Sequence, residues 1–109
     1  MNATLPLSGR TALITGGTRN IGKGVALHLA KLGANVCINS RQKDADSEKT
    51  LALIAELNGK AFHFPANIAD EDNVNQMVKQ TVAQFGGVDI FVHSAGIRRV
   101  NSLLETSLK

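Results

Sequence analysis

Thr15-Gly16-Gly17-Thr18-Arg19-Asn20-Ile21-Gly22-Lys23-Gly24 is the stretch that decides how the rest of the chain is read. The run before it, Thr11-Ala12-Leu13-Ile14-Thr15, is short, apolar and β-branched and stops at a glycine pair. It predicts a buried strand feeding a tight turn. Ile21, Val25, Leu29 and Leu32 then recur at helical spacing, and Gly33 follows as a helix-ending residue able to adopt positive φ. A helix is therefore expected to begin near Asn20. Such a turn offers what an anion needs: backbone that can be approached closely, and the unpaired N–H groups and positive dipole end of a helix. Gly16 is expected to make the turn and Gly22 to let the helix pack against the strand. Gly is common at any strand-to-helix turn, so the pattern by itself also fits a plain connection.

Working outward, residues 35–39 read as a second short strand, and Leu51, Ile54 and Ala55 mark the inner face of a helix closing at Asn58-Gly59. Residues 60–66 read as a third strand. Val74, Met77, Val78, Thr81, Val82 and Phe85 keep helical spacing behind the acidic start Asp70-Glu71-Asp72 and ahead of Gly86-Gly87. Those acids suit the positive end of a helix dipole, and the Met and Phe positions read as core. Residues 88–93 form a fourth expected strand, followed by Ser94-Ala95-Gly96. Strands alternating with helices build an α/β parallel sheet covered on both faces and joined by right-handed crossovers.

Composition narrows the function classes. A chain of 109 residues forms one domain, 1–109, with a modest core, since a domain this short removes only roughly 60–65% of its unfolded surface from water. The 43% hydrophobic and 19% charged shares place it among globular rather than disordered chains. Twelve basic and nine acidic residues give a formal net charge of +3, scattered without a basic run or interleaved aromatics, which argues against a nucleic-acid partner. No apolar stretch approaches membrane length, and residues 1–10 lack the pattern of a signal peptide, so the expectation is a cytoplasmic protein with no membrane contact. The single Cys37 excludes an internal disulfide, fits a reducing compartment and reads as a small buried hydrophobe. His28 and His63 have no partners at metal-ligand spacing and read as structural, so no metal is expected.

Taken together, Thr-Gly-Gly-Thr-Arg-Asn-Ile-Gly at 15–22, Asn39-Ser40-Arg41, Asn67-Ile68 and Ser94-Ala95-Gly96-Ile97 resemble the short-chain dehydrogenase/reductase family, with the closest likeness in its 3-oxoacyl-carrier-protein reductase type. The resemblance runs from about Leu7 to the end. It implies a Rossmann-type doubly wound sheet, truncated after about four strands, that binds a nicotinamide dinucleotide at the carboxyl ends of the strands. Members use Thr-Gly-x-x-x-Gly-x-Gly around the pyrophosphate. Gly16 and Gly22 match, while Asn20 stands at the middle glycine, and Asn tolerates left-handed backbone better than most residues.

Members preferring NAD usually carry an acid at the end of the second strand, where this chain reads Asn39-Ser40-Arg41. The acid is missing and a base is present. Arg19 and Arg41 would give planar, charge-assisted donors to a 2′-phosphate, so the resemblance implies NADP (NADPH) in preference to NAD. Asn67-Ile68 stands where the family commonly has Asp and a small apolar residue against adenine. His93-Ser94-Ala95-Gly96 stands for Asn-Asn-Ala-Gly along the nicotinamide ribose, which makes His93 structural rather than a general base. The candidate cofactor contacts are thus Gly16, Thr18, Arg19, Asn20, Ile21, Gly22, Ser40, Arg41, Asn67, Ile68, Ser94, Ala95 and Gly96.

The family donates its proton from the Tyr of a Tyr-x-x-x-Lys motif supported by Ser and Asn, and these 109 residues contain no tyrosine. No catalytic residue is assigned. The resemblance therefore implies the cofactor-binding portion of an oxidoreductase about twice this length, homo-oligomeric, that moves hydride between NADPH and a small carbonyl or alcohol. The isolated chain is expected to be inactive, marginally stable and prone to self-association along an open fourth strand. The other readings are a non-catalytic nucleotide-binding module or degenerate gene product, and a flavodoxin-like or methyltransferase-like binder. That last class shares the sheet but lacks the Thr-Gly start, Arg41 and Ala-Gly combination.

Overall fold

The computed structural model describes residues 5–18 and 20–93. In it β1 (Thr11–Thr15), β2 (Asn35–Ser40), β3 (Ala61–Pro65) and β4 (Ile90–His93) alternate with α1 (Asn20–Lys31), α2 (Ala45–Glu56) and α3 (Glu71–Phe85). Every strand pairing is parallel and the order across the sheet is β3-β2-β1-β4. The chain thus builds outward from β1 to β3, then crosses back to place β4 on the other side of β1. This is the Rossmann-type reversal, and it opens a crevice above the carboxyl ends of β1 and β4.

β3 and β4 are shorter than their sequence patterns suggest because side chains and loops take over the ladder at their ends. Asp89 illustrates it: its carboxylate Oδ2 accepts from the Thr11 N–H at 2.9 Å, while its own N–H donates to the Thr11 carbonyl at 2.9 Å. A side-chain acceptor therefore stands in for a strand carbonyl at the entry to β1.

Both faces of the sheet are apolar, which explains why the strands read as continuous hydrophobic runs instead of alternating ones. On one face Ala12, Ile14, Val36 and Ile38 pack with Ala26 and Ala30 of α1, with Ala34 just before β2, and with Ile54 of α2. On the other, Leu13 and Cys37 meet Met77 of α3, with Phe62, Phe64 and Phe91 around them. Burying the largest of these aliphatic side chains contributes roughly 1.5–3 kcal/mol each.

The helices keep their expected positions but present different residues to the core. In α1 the buried stripe is Gly22, Ala26 and Ala30, with Val25 and Leu29 flanking it, and Ile21 is 77% exposed. Small residues face the sheet because the helix backbone lies close to it, leaving no room for branched side chains on the axis of contact. In α2 the buried residues are Ser47, Thr50 and Ile54, and Ala55 is exposed, one position off the predicted face. In α3 Val74, Met77 and Thr81 are buried, while Val82 lies at the solvent edge of the stripe. The buried threonines satisfy their hydroxyls within their own helices: Thr50 donates to the Asp46 carbonyl at 2.8 Å and Thr81 to that of Met77 at 2.7 Å. Asp44 and Ser47 form a reciprocal capping box at the start of α2, and Asp70 accepts from the Asp72 and Asn73 N–H groups at the start of α3.

Candidate functional site

The strand register lines up Phe64, Asn39, Thr15 and His93 in one row across the carboxyl end of the sheet. Three of these four are polar, a change of character that marks where the apolar ladder stops and the site begins. Thr15 is fully buried, and its Oγ1 shares a 2.6 Å hydrogen bond with Nδ1 of His93. His93 thus ties β4 to β1 at the site floor.

Beyond Thr15 the backbone turns through Gly16 at φ +68°, a conformation open to Gly at little cost. The Gly17 N–H donates to the Asn39 carbonyl at 3.0 Å. A Cβ on Gly17 would sit 3.0 Å from Ile38 Cγ2 and 3.2 Å from the Ile14 carbonyl oxygen, so this second glycine favours close approach to the sheet. The sequence pattern assigns the turn to Gly16 and the helix contact to Gly22, and it misses Gly17. Thr18 is buried and its carbonyl accepts from Thr50 Oγ1 at 3.4 Å. Asn20, standing where the family pattern has glycine, has φ +54° and supplies the left-handed conformation without one. Ile21 projects outward and Gly22 is buried against the sheet.

The end of β2 forms the second wall. Asn39 is buried, and its Nδ2 donates to the carbonyls of Phe64 at 2.9 Å and Ala66 at 3.3 Å. That amide pins the strand β3 and the loop after it to β2, a function the sequence pattern did not reveal. Ser40 Oγ donates to the Gln42 carbonyl at 3.1 Å and lies 2.6 Å from His63 Nε2. Thr18, Ser40, Arg41, Gln42, Asp44 and Asn67 line one open cleft of about 580 Å³. Arg41 and Asn67 are exposed at its mouth, and Asn67 Oδ1 accepts from the Ala69 N–H at 3.0 Å. Ile68 packs beside Leu13, Cys37 and Met77. Of the expected contacts, Thr18, Ser40, Arg41 and Asn67 therefore meet in one place, with Gly16, Asn20, Ile21 and Gly22 on the adjoining turn and helix start. Arg19, Ser94, Ala95 and Gly96 lie outside the described residues.

Gln42, Asp44 and His63 were not anticipated at the site. Asp44 was legible in principle, because Asp ahead of a helical run is a favoured N-cap residue. His63 carried no such signal, since only the β2–β3 register places it beside Ser40. Burial lowers the His63 pKa, opposed by the carboxylate of Asp44, reinforced by the Lys43 ammonium and opposed again by Glu48. On the other face, burial pushes the Cys37 thiol up to about 12, with a hydrogen bond to Thr81 acting the other way. Among the described residues no group of three His, Cys, Asp or Glu side chains could hold a metal ion, and no helix is long and apolar enough to cross a membrane.

Comparison with known proteins places this geometry in context. The chain is 42% identical over 98 residues to the 3-oxoacyl-(acyl-carrier-protein) reductase of Staphylococcus aureus, covering 87% of this chain and 39% of that protein. It is 36% identical over 105 residues to the hydroxynaphthalene reductase of Aspergillus fumigatus, covering 96% and 38%. Among solved structures, a short-chain type dehydrogenase/reductase from Mycobacterium marinum superposes with a TM-score of 0.79 at 40% identity, over 86% of this chain and 38% of that one. A dehydrogenase/reductase from Sinorhizobium meliloti superposes at 0.84 with 28% identity, over 96% and 49%. The chain thus spans under two fifths of the length of these curated relatives. The family model for the short chain dehydrogenases matches residues 10–109, and the chain belongs to that family.

Proposed function

We propose that this chain binds NADP(H) as the cofactor-binding portion of a carbonyl or alcohol oxidoreductase. The observation that carries the proposal is the cleft at the carboxyl ends of β2 and β3, where Ser40, Arg41 and Asn67 converge beside the Gly16-Gly17 turn. The donor set fits an adenosine 2′-phosphate. Arg41 supplies a planar guanidinium, Ser40 a hydroxyl, and no carboxylate stands at 39–41 to repel the phosphate. Asp44 does lie in the same cleft, but its Oδ1 accepts from the Ser47 N–H at 3.0 Å and faces the positive end of α2, which offsets its charge. The start of α1, reached through Gly16 and Asn20, would receive the pyrophosphate, and Asn67 the adenine edge. Arg19 belongs to the same phosphate-binding proposal, and Ser94, Ala95 and Gly96 to the nicotinamide ribose.

When bound, the dinucleotide supplies the hydride, and the chain's part is to hold it in register above the sheet. The reductases among its relatives favour a carbonyl or alcohol substrate in the whole protein, for which a homo-oligomeric assembly is part of the proposal. With no tyrosine in the 109 residues, this portion binds cofactor without furnishing the proton donor and is inactive alone. Isothermal titration of the chain with NADP⁺ and NAD⁺ tests the reading. Saturable binding of NADP⁺ at least tenfold tighter than NAD⁺ supports it; equal affinities remove the cofactor assignment, and no binding of either removes the nucleotide site.

A further inference from the structure

The contact between Ser40 and His63 bears on how the cleft would recognise phosphate, in a role that rests on the NADP reading above. A serine hydroxyl has one proton and two lone pairs. Ser40 Oγ sits 2.6 Å from His63 Nε2 and 3.1 Å from the Gln42 carbonyl. If Nε2 carries a hydrogen, it donates to Ser40, and the serine proton, which otherwise goes to the Gln42 carbonyl, can turn to an acceptor in the cleft. If Nε2 is bare, it takes the serine proton, and Ser40 turns lone pairs toward whatever occupies the cleft. A phosphate oxygen is drawn to the first arrangement and repelled by the second.

We infer that His63 is a positioning residue for the cofactor 2′-phosphate: it donates from Nε2 to Ser40 Oγ, so that Ser40 donates to the phosphate, and it becomes charged as the phosphate arrives. The charged groups around it fit such a role. Asp44 and Glu48 favour the imidazolium and Lys43 opposes it, but Lys43 is itself paired with Glu48 at 3.3 Å. Burial favours the neutral ring. A phosphate dianion brought to Ser40 and Arg41 adds the attraction that tips it, with a proton taken from solvent onto Nδ1, the nitrogen turned away from Ser40. NAD, which lacks the phosphate, brings no such charge. Selection of NADP would then be coupled to proton uptake.

The test is titration calorimetry of the full 109-residue chain with NADP⁺ and NAD⁺ between about pH 7 and 8, where the phosphate itself is almost wholly dianionic, in two buffers of different ionisation heat. The unaltered chain, His63→Gln and His63→Leu are compared. Gln keeps an amide donor near the Nε2 position but cannot take up a proton. The unaltered chain is expected to take up a fraction of a proton with NADP⁺ and none with NAD⁺. His63→Gln should keep its NADP⁺ preference while losing the uptake. His63→Leu should lose about tenfold in NADP⁺ affinity with NAD⁺ unchanged. If His63→Leu does not fold, the proton count of His63→Gln decides alone. Uptake that persists in His63→Gln, or that is equal for both dinucleotides, overturns the inference and leaves the cofactor reading intact. Failure of the unaltered chain to bind either dinucleotide overturns both.

Discussion

The Gly17 N–H donates to the Asn39 carbonyl across 3.0 Å, so the turn after β1 is bonded directly to the end of β2. A residue without a side chain suits that approach, because a Cβ at 17 would press on Ile38 and on the Ile14 carbonyl, which would have to give by a few tenths of an ångström. Gly17→Ala is expected to cost about 1–3 kcal/mol through overpacking and to displace the turn. Thermal denaturation would show it as a melting temperature lower by several degrees, and titration with NADP⁺ as weakened binding. An unchanged melting temperature would mean the turn has slack that the contacts do not suggest.

Asn39 gives a second prediction, because its amide holds two carbonyls while buried at 2% exposure. Asn39→Ala should destabilise the chain by about 1–3 kcal/mol in urea unfolding. Asn39→Asp should be worse above the ordinary carboxylate range, since a charged oxygen would then face the Phe64 and Ala66 carbonyl oxygens. The sign comes from the folded state favouring the protonated acid: its pKa would rise above the unfolded value of about 3.9, and stability would fall as pH rises through it. A melting temperature for Asn39→Asp that increases from about pH 4 to 7 would contradict this arrangement.

Arg41 lies exposed at the mouth of the cleft, so its removal should touch binding and leave folding alone. Arg41→Ala is expected to weaken NADP⁺ by about 10- to 100-fold, the range of a charge-assisted contact, with little effect on NAD⁺. Arg41→Glu should reverse the preference. Parallel titrations and melts of the two variants would separate these effects, and equal losses for both dinucleotides would place Arg41 elsewhere than the 2′-phosphate.

Cys37, fully buried with its pKa pushed up to about 12, should resist alkylation in the folded chain and react only on unfolding. Its pH dependence has a defined direction. The unfolded thiol loses its proton near about pH 8.5, whereas the folded one keeps it up to about 12. The folded state binds more protons between those values, so stability should decline as pH rises above about 9. Comparing urea midpoints at about pH 8 and 10 for the chain and for Cys37→Ala isolates the thiol's share, which the variant should lack.

Much of this architecture was readable from the order of the residues. Two features carried it: short apolar, β-branched runs, the first of them stopping at Gly16-Gly17, and helical spacing closed by Gly33 or introduced by Asp70. Both are local, and both survive in the structure. The faces of the helices were less legible. Ile21 and Ala55 looked like core and are exposed, because hydrophobicity is visible in a sequence while the distance between a helix and a sheet is not. At the site, Ser40, Arg41 and Asn67 come from the family resemblance, at places after strands, and do share a cleft. The partners of those residues stayed hidden. His63 touches Ser40 from 23 positions away, and Asn39 grips Phe64 from 25. Such pairs exist only once the strand register has been set.

The stripe Gly22, Ala26 and Ala30, through which α1 rests on the sheet, has a mechanical consequence. Where large side chains separate two elements, a change of rotamer can absorb a small shift. Here main-chain atoms and single methyl groups form the helix side of the central contact, and they have no rotamer to change. The amino end of α1 is therefore a rigid mount. One added methylene at Ala26 would act as a shim beneath a lever, tilting the turn at Gly16 and Asn20 from more than a full helical turn away. The proposed grip of this chain on an anion would then be adjustable from residues that never touch it.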